Sequence, residues 1–189
     1  MACAPHGISI NIAMLRKAVE AAAEATGESV FIVVGVASLV GSVTDVPPEL
    51  TRTEDVDLYP LHGQDRFDMD EVDEKIGLGS KFAAQNGFYV QRVGSWTVST
   101  QPGGWLERAS TLEFGKVKAI CLSPLDLAYN KLEAGRSKDR AFVGAMLESK
   151  IINTASLLTF IREGAPDESI RALVEKRALD ICRSDSGDK

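Results

Sequence analysis

The chain has 189 residues, of which 44% are hydrophobic and 25% are charged, and this near-average composition excludes a disordered or fibrous protein. Three cysteines without CxxC spacing and only two histidines argue against a disulfide framework, a zinc ribbon and a histidine-rich metal site, and favour a reducing cytoplasm. The net charge of −6 comes from residues 1–122, because residues 123–189 are neutral. The chain therefore lacks the overall positive charge of a non-specific nucleic-acid binder, although a local basic patch could still contact phosphates.

Neither a membrane span nor a secretory signal is expected. No apolar run approaches the roughly 20 residues that cross a bilayer, and the segment MACAPHGISINIAML has no basic region ahead of an apolar stretch. We expect a cytoplasmic protein without membrane contact, built as one domain or as a small two-lobed unit.

Hydrophobic periodicity predicts alternating helices and strands in the first two-thirds of the chain. A helix is expected over residues 8–26, with Asn11 as its N-cap and Gly27 at its end. The further elements expected in this part are strands over 30–34, 53–59, 89–93, 109–114 and 117–122, the first turns of a helix over 36–40, and a helix over 70–86.

After Pro124 the sequence is mostly helical. Helices are expected over residues 124–134, 138–148, 151–163 and 167–183. The predicted fold class is therefore α/β of the mixed (α+β) kind, with a sheet lobe over 1–123 followed by a helical lobe over 124–189.

The segment 53–59, with the sequence TEDVDLY, carries the sharpest chemical signal. Residues two apart on a strand point to the same side, so Asp55 and Asp57 are expected to project together. Two carboxylates held this close favour a cation, and carboxylate oxygens are the ligands that Mg²⁺ prefers in phosphoryl-transfer sites. The alternative is that an Asp-x-Asp pair lies by chance in a loop or on a solvated strand face.

A strand that runs into a helix through Gly35 precedes this pair in the sequence. The backbone N–H groups of such a helix start, with the hydroxyl of Ser38, can bind phosphate. The alternative is that this is a common strand–glycine–helix joint in which Ser38 caps or packs. Together with Asp55 and Asp57 on the next strand, the joint has the layout of a nucleotidyltransferase site, with phosphates on the glycine turn and metals on the carboxylates.

The segment 123–140 combines a helix start with a cluster of cations. Ser123 or Asp126 can support that start. The positive side chains available for phosphate are those of Lys131, Arg136, Lys138 and Arg140. The alternative is a solvated helix face of mixed charge, because acidic residues are interleaved with the basic ones.

The chain resembles the bacterial nucleotidyltransferase superfamily, and specifically a branch related to the AbiEii/MenT-type nucleotidyltransferase toxins. The resemblance rests on three blocks in this order: VVGVASLVGS, TRTEDVDLY and CLSPLDLAYNKLEAGRSKD. The segment PGGWLER at 102–108 is similar to a Gly-Trp-x-x-Arg signature of that branch. The blocks cover residues 30–145, and the pattern Lys-x-x-Ala-x-Arg-x-Lys-Asp is the most specific part.

The resemblance implies a nucleotidyltransferase fold with a Mg²⁺-dependent site. Under it, Gly35 and Ser38 approach the triphosphate of an NTP. Asp55 and Asp57 hold Mg²⁺.

The third block supplies the other site residues that the resemblance implies. Lys131 contacts phosphate, and Asp139 is a further acidic residue of the site. Arg136 and Lys138 support the nucleotide or the acceptor. The implied acceptor is RNA, tRNA by analogy, or a protein, and the implied setting is a phage-defence module or a toxin–antitoxin module with a cognate antitoxin.

A non-catalytic member of the same fold, acting as a nucleotide-binding or protein-interaction module, is the alternative. The family usually has two glycines in its first block, whereas Val36 follows Gly35 here. Better-known nucleotidyltransferases carry a third carboxylate on a later strand, and Glu107 and Glu113 lie in that region without a clear motif. The acidic and basic residues of the second and third blocks favour the enzyme.

Overall fold

The computed structural model describes residues 7–62 and 69–184. Its helices are α1 (Ile12–Thr26), α2 (Gly35–Ser42), α3 (Met69–Ile76), α4 (Lys81–Asn86), α5 (Trp105–Arg108), α6 (Pro124–Ala134), α7 (Ser137–Glu148), α8 (Thr154–Gly164) and α9 (Glu168–Ser184). Its strands are β1 (Ile8–Ser9), β2 (Val30–Val33), β3 (Arg52–Thr53), β4 (Asp55–Pro60), β5 (Tyr89–Arg92), β6 (Ser110–Phe114) and β7 (Val117–Cys121). This combination confirms the predicted mixed α/β fold class.

Within the described residues, the central sheet has five strands in the order β5-β4-β2-β7-β6. The β2–β7 and β4–β5 pairs are parallel, while the β2–β4 and β6–β7 pairs are antiparallel. β4 is therefore next to the edge strand β5, in a register that sets Asp55 opposite Tyr89 and Asp57 opposite Gln91. The short strands β1 and β3 form a separate antiparallel pair.

One face of the sheet packs with α1 in a hydrophobic core. The strands contribute Phe31, Val33, Val56 and Leu58, and the helix contributes Leu15, Ala18, Val19 and Ala22. Side chains alternate along a strand, so Asp55 and Asp57 point to the side of the sheet opposite Val56 and Leu58. The burial of these two apolar residues thus determines where both carboxylates lie.

The described residues divide into two compact units. The first is drawn from Met1–Ser95 and Ala109–Leu122 and contains the central sheet. The second is drawn from Trp96–Arg108 and Ser123–Lys189 and is helical. The predicted domain boundaries, 1–123 and 124–189, stay a prediction.

The helix predicted over 8–26 begins only at Ile12. The residues before it, Ile8–Ser9, pair with β3 instead. Asn11 is the N-cap, because its side chain accepts a hydrogen bond from the amide of Met14 at 3.1 Å. This cap sets the start of the helix after the short strand.

The helix predicted over 70–86 consists of two helices, α3 and α4. Gly79 between them has a φ of 83°, a left-handed conformation that interrupts the helical backbone. Ser80 then caps α4, because its hydroxyl accepts a hydrogen bond from the amide of Ala83 at 3.1 Å. The glycine and the cap therefore outweigh the helical periodicity at this point.

The C-terminal helices lie close to their predicted ranges. α6 spans Pro124–Ala134 as expected. α8 begins at Thr154, later than residue 151, because Asn153 caps its first turn by accepting a hydrogen bond from the amide of Ser156 at 2.8 Å. In the described part of the chain, no helix has the length and apolar character needed to cross a membrane.

Candidate active site

Two carboxylates lie on one face of β4. Asp55 and Asp57 are both partly exposed, whereas Val56 between them is fully buried. On the edge strand β5, Tyr89 and Gln91 lie opposite the two aspartates in register. Residues paired across neighbouring strands share a face, so this face carries two acids, a phenol and an amide.

Gly35 brings the start of α2 against one of these carboxylates. The φ of Gly35 is 63°, and a Cβ atom at this residue would overlap with the carboxylate of Asp57. One residue earlier, the amide of Val34 donates a hydrogen bond to the carbonyl of Asp57 at 3.0 Å. A residue larger than glycine would therefore displace Asp57 and strain the backbone. Gly35 and Asp57 are in contact, with Asp55 on the same face.

Ser38 lies in the first turns of α2 but is fully buried. Its hydroxyl donates a hydrogen bond to the carbonyl of Gly35 at 2.8 Å. Contact between this hydroxyl and a phosphate would require that bond to be exchanged, so the nucleotide-binding role of Ser38 stays a prediction. The donors that this joint offers to an anion are the backbone amides at the start of α2.

The carboxylates of the β4 face contribute, after burial, to a raised pKa of the neighbouring phenol. Burial, followed by the charges of Asp55, Glu54 and Asp57, raises the pKa of Tyr89 above its ordinary value of 10.0. Asp55 also accepts a hydrogen bond from the hydroxyl of Thr53 at 2.5 Å. The phenol is neutral, so the carboxylates around it give this face a negative potential. A negative potential favours the binding of a cation.

The two carboxylates suit a magnesium ion that takes its other ligands from a bound molecule. Mg²⁺ is usually held by one or two carboxylates together with substrate phosphates and water. Residues 7–62 and 69–184 contain no group of three or more His, Cys, Asp or Glu side chains arranged to bind a metal. Asp55 and Asp57 would therefore hold Mg²⁺ only together with the phosphates of a nucleotide, which supply the remaining ligands.

Glu113 does not supply the third carboxylate expected on a later strand. It lies on β6, at the opposite edge of the sheet from β5 and three strand positions from β4, hence about 14 Å away. There it pairs with Lys118 at 2.7 Å, and this hydrogen bond lowers the pKa of Glu113. Glu107 lies in α5 of the helical unit and is exposed. The neighbours of the β4 carboxylates on β5 are neutral.

In the helical unit, three of the predicted site residues form one ion-pair cluster. The ammonium of Lys131 lies 3.2 Å from Oδ1 of Asp139, and Nε of Arg136 lies 2.5 Å from Oδ2. Only 1% of the Asp139 side chain is exposed, against 61% for Arg136. Burial raises the pKa of Asp139, but the hydrogen bond from Arg136 and the charge of Lys131 outweigh it and hold this pKa below 3.8. Asp139 is thus an ionised carboxylate between two cations.

This cluster joins the end of α6 to the start of α7. Lys131 lies in the last turn of α6, and its ammonium is 5.4 Å from the centre of the Phe142 ring on α7. Lys138 and Arg140, the other basic residues of this segment, are exposed on α7. The helical unit therefore brings Lys131, Arg136 and Asp139 together and leaves Lys138 at the surface.

Asp126 is a second buried carboxylate in the described part of the helical unit, and its partner is not apparent from the sequence alone. Nη2 of Arg108 lies 2.8 Å from Oδ1 of Asp126, and Nε lies 3.1 Å from Oδ2, which makes the pair bidentate. The hydroxyl of Ser123 donates to Oδ2 at 2.5 Å. The sequence signals for this pair are the Ser-Pro-Leu-Asp helix start and the Gly-Trp-x-x-Arg segment. Arg108 and Asp126 are 18 residues apart in the chain.

A mixed sheet in which an Asp-x-Asp strand meets the glycine of a helix start is the arrangement expected of a nucleotidyltransferase. Residues 11–179 match the family described as "Nucleotidyltransferase of unknown function (DUF6036)", and the chain belongs to this family. No curated protein and no solved structure matches the chain. The predicted membership of the nucleotidyltransferase superfamily is thereby confirmed, whereas the relation to AbiEii/MenT-type toxins stays a prediction.

Proposed function

We propose that the chain is a Mg²⁺-dependent nucleotidyltransferase that moves a nucleotide from an NTP to an RNA acceptor, tRNA by analogy, and releases pyrophosphate. A protein is the second choice of acceptor. The observation that carries the proposal is the contact between Gly35 and the carboxylate of Asp57, with Asp55 on the same face. Membership of a nucleotidyltransferase family supports the reaction class.

In the proposed site, Asp55 and Asp57 hold the cation, and the backbone amides at the start of α2 bind the triphosphate. Bound Mg²⁺ supplies neutralisation of the phosphate charge. The protein needs no covalent intermediate, because phosphoryl transfer depends mainly on positioning and electrostatic stabilisation. Tyr89, whose pKa is raised, stays protonated at neutral pH and can donate a hydrogen bond there.

The proposed phosphate-binding cations of the helical unit are Lys131 and Arg136. Both already contact Asp139, and their side chains are 17% and 61% exposed. Lys138 and Arg140 add exposed positive charge on α7. This local patch can contact RNA phosphates although residues 123–189 are neutral as a whole, and salt should weaken RNA binding more than NTP binding.

The proposed setting is the cytoplasm of a bacterium, in a toxin–antitoxin or phage-defence module with a cognate antitoxin as partner. The support for this setting is the resemblance of the three sequence blocks to the AbiEii/MenT-type toxins. A protein encoded next to this chain is therefore the first partner to examine.

A non-catalytic nucleotide-binding module of the same fold is the second candidate. Two observations favour it: the β5 neighbours of the carboxylates are the neutral Tyr89 and Gln91, and the hydroxyl of Ser38 is bonded to Gly35. Val36 adds bulk next to the glycine turn, where it is partly exposed. The first feature suits binding without turnover, because β5 adds no further carboxylate opposite Asp55 and Asp57.

Incubation with four labelled NTPs, Mg²⁺ and total RNA tests the proposal. We expect one preferred NTP to label RNA, and Asp57→Asn to slow labelling by at least about 100-fold, because loss of a cation-holding carboxylate removes several kcal/mol of charge stabilisation. The matched control is Asp45→Asn, since Asp45 is exposed in the same unit and its φ of 54° suits asparagine. This control should label RNA at the wild-type rate.

Calorimetry separates the two candidates. Binding of NTP without any labelling of RNA or protein, with either Mg²⁺ or Mn²⁺, would establish the non-catalytic module. Labelling of protein rather than RNA would change the acceptor and leave the reaction class intact.

A further inference from the structure

The guanidinium of Arg108 joins several parts of the helical unit. Besides its bidentate pair with Asp126, Nη1 donates to the carbonyl of Gly103 at 2.7 Å and Nη2 donates to the carbonyl of Pro102 at 3.0 Å. Its Cζ atom lies 4.9 Å from the centre of the Phe160 ring on α8. These contacts fix a side chain that is 33% exposed.

The partner of Arg108, Asp126, anchors the first turn of α6. Its side chain has no exposed surface, and its amide donates to Oγ of Ser123 at 3.3 Å. The carbonyl of Asp126 accepts a hydrogen bond from Nε2 of Gln101 at 2.9 Å. The segment 101–108 therefore holds the start of α6 through both the side chain and the backbone of Asp126.

Lys131 lies on the same helix, five residues after Asp126. This spacing corresponds to about 7.5 Å along the helix axis. α6 is continuous over Pro124–Ala134, so a shift of its first turn also shifts Lys131. Asp139 contacts the Lys131 ammonium from α7, and the two ends of α6 are thus held by two different buried carboxylates.

We propose that Arg108 is a positioning residue for Lys131, because its guanidinium fixes the start of α6 and thereby the point at which the Lys131 ammonium meets phosphate. The inference rests on the proposed function, in which Lys131 binds phosphate. Lysine cannot replace Arg108, since only the planar fork of arginine pairs with both carboxylate oxygens while it also reaches two backbone carbonyls.

A double-mutant cycle in the full chain tests this inference. RNA labelling with the preferred NTP and Mg²⁺ is measured for Arg108→Lys, Lys131→Ala and the double variant. We expect Arg108→Lys to lower kcat/KM about 10-fold, and the double variant to lie within about 2-fold of Lys131→Ala, because Arg108 then has no ammonium to position. If the two losses multiply in the double variant, the positioning role is wrong.

Arg162→Lys is the matched control. Arg162 pairs with Glu175 at 2.7 Å in the same unit, and its side chain is 52% exposed. The substitution is chemically identical, but we expect it to leave kcat/KM at the wild-type value. An Arg108→Lys protein with a lower melting temperature and an unchanged kcat/KM would show that Arg108 stabilises the fold without positioning Lys131.

A second variant covers the case in which Arg108→Lys does not fold. The combination of Arg108→Met with Asp126→Leu removes both charges at once, so no unpaired carboxylate stays buried. We expect this protein to fold and to lose kcat/KM about as much as Arg108→Lys, roughly 10-fold. Wild-type kcat/KM in this variant would overturn the inference.

The failure of the proposed function can be told apart from the failure of this inference. An active wild type with multiplying losses contradicts only the positioning role. If the wild type binds NTP without turnover, the same cycle is measured on the Kd of the NTP by calorimetry, with the same expected non-additivity. A wild type that neither binds nor transfers NTP contradicts the proposed function and this inference with it.

Discussion

The two units of the chain hold their aspartates in opposite ways. Asp55 and Asp57, in the unit with the sheet, are partly exposed and face neutral side chains across β5. Asp126 and Asp139, in the helical unit, have at most 1% of their side chains exposed, and each pairs with an arginine. The same residue type thus occurs in two different electrostatic environments.

The difference in burial and pairing distinguishes carboxylates that stabilise the fold from carboxylates that are accessible to a ligand. A carboxylate removed from water must be paired, because an isolated buried charge costs several kcal/mol. Arg108 supplies the partner of Asp126, and Lys131 and Arg136 supply those of Asp139. The charged residues of the third sequence block therefore have a structural role in addition to any role in nucleotide binding.

Removal of one carboxylate from each unit should affect stability unequally. Asp126→Ala should lower the free energy of unfolding by about 3 kcal/mol, because it leaves the guanidinium of Arg108 without its buried partner. Asp55→Ala should change the free energy of unfolding by less than about 0.5 kcal/mol, because Asp55 is partly exposed. Urea denaturation at neutral pH measures both variants. Equal losses would contradict the distinction between the two units.

The ion pairs of Asp139 should be visible in acid. Its folded pKa lies below the ordinary value of 3.8, so its pairing stabilises the fold above about pH 4, and this stabilisation is lost as the pH falls through the folded pKa. Asp139→Asn should lower the free energy of unfolding by about 2 kcal/mol at neutral pH, and the difference from wild type should shrink below about pH 4. Urea denaturation over this pH range measures the difference.

A matched control for the acid experiment is Asp180→Asn. Asp180 lies 4.0 Å from Arg183 in the same unit, and both side chains are largely exposed. Such surface pairs contribute little, so this variant should follow the wild-type curve at every pH. If the effect of Asp139→Asn stays constant through acid, the pKa of Asp139 is not lowered by its partners.

The elements of the fold could be predicted where local signals agree. The β-branched run of β2 and the capped start of α6 at Ser123 are examples, because pattern and cap point to the same element. The break at Gly79 is not predictable from the sequence, because the periodicity of the segment 70–86 continues across it. A glycine within a helical pattern can be tolerated or can end the helix, and the sequence does not show which, because the outcome depends on its φ.

The candidate site was predictable only in its local part. The period-two spacing of Asp55 and Asp57 and the joint at Gly35 depend on residues near one another in the chain. The ion pair between Arg108 and Asp126 depends on how two separate segments pack. The spacing of residues in the sequence does not predict it. For the same reason, the position of Tyr89 beside Asp55 became known only with the order of the strands.

The three tyrosines of the chain allow a finer comparison of the two units. Burial raises the pKa of Tyr59 to about 12, and burial with nearby carboxylates of the helical unit raises that of Tyr129 to about 12. The pKa of Tyr89 is raised by burial and then by the carboxylates at β4. Tyr89 can therefore report the charge of the candidate site.

The smallest expected effect is a change in the pKa of Tyr89. Asp55→Asn should lower it by a few tenths of a unit, because the larger cause, burial, remains. Ca²⁺, which binds carboxylate oxygens as Mg²⁺ does and stays in solution at the alkaline pH of this titration, should also lower the Tyr89 pKa in the wild type. Its effect should be smaller in Asp55→Asn, since a cation held by Asp55 and Asp57 cancels the same field. NMR of ¹³C-labelled tyrosine measures the titration, with Tyr129 as the internal control whose pKa should not change. If the Tyr89 pKa responds to Asp55→Asn but not to Ca²⁺, the β4 carboxylates do not bind a cation. The contrast between the two units would then no longer hold.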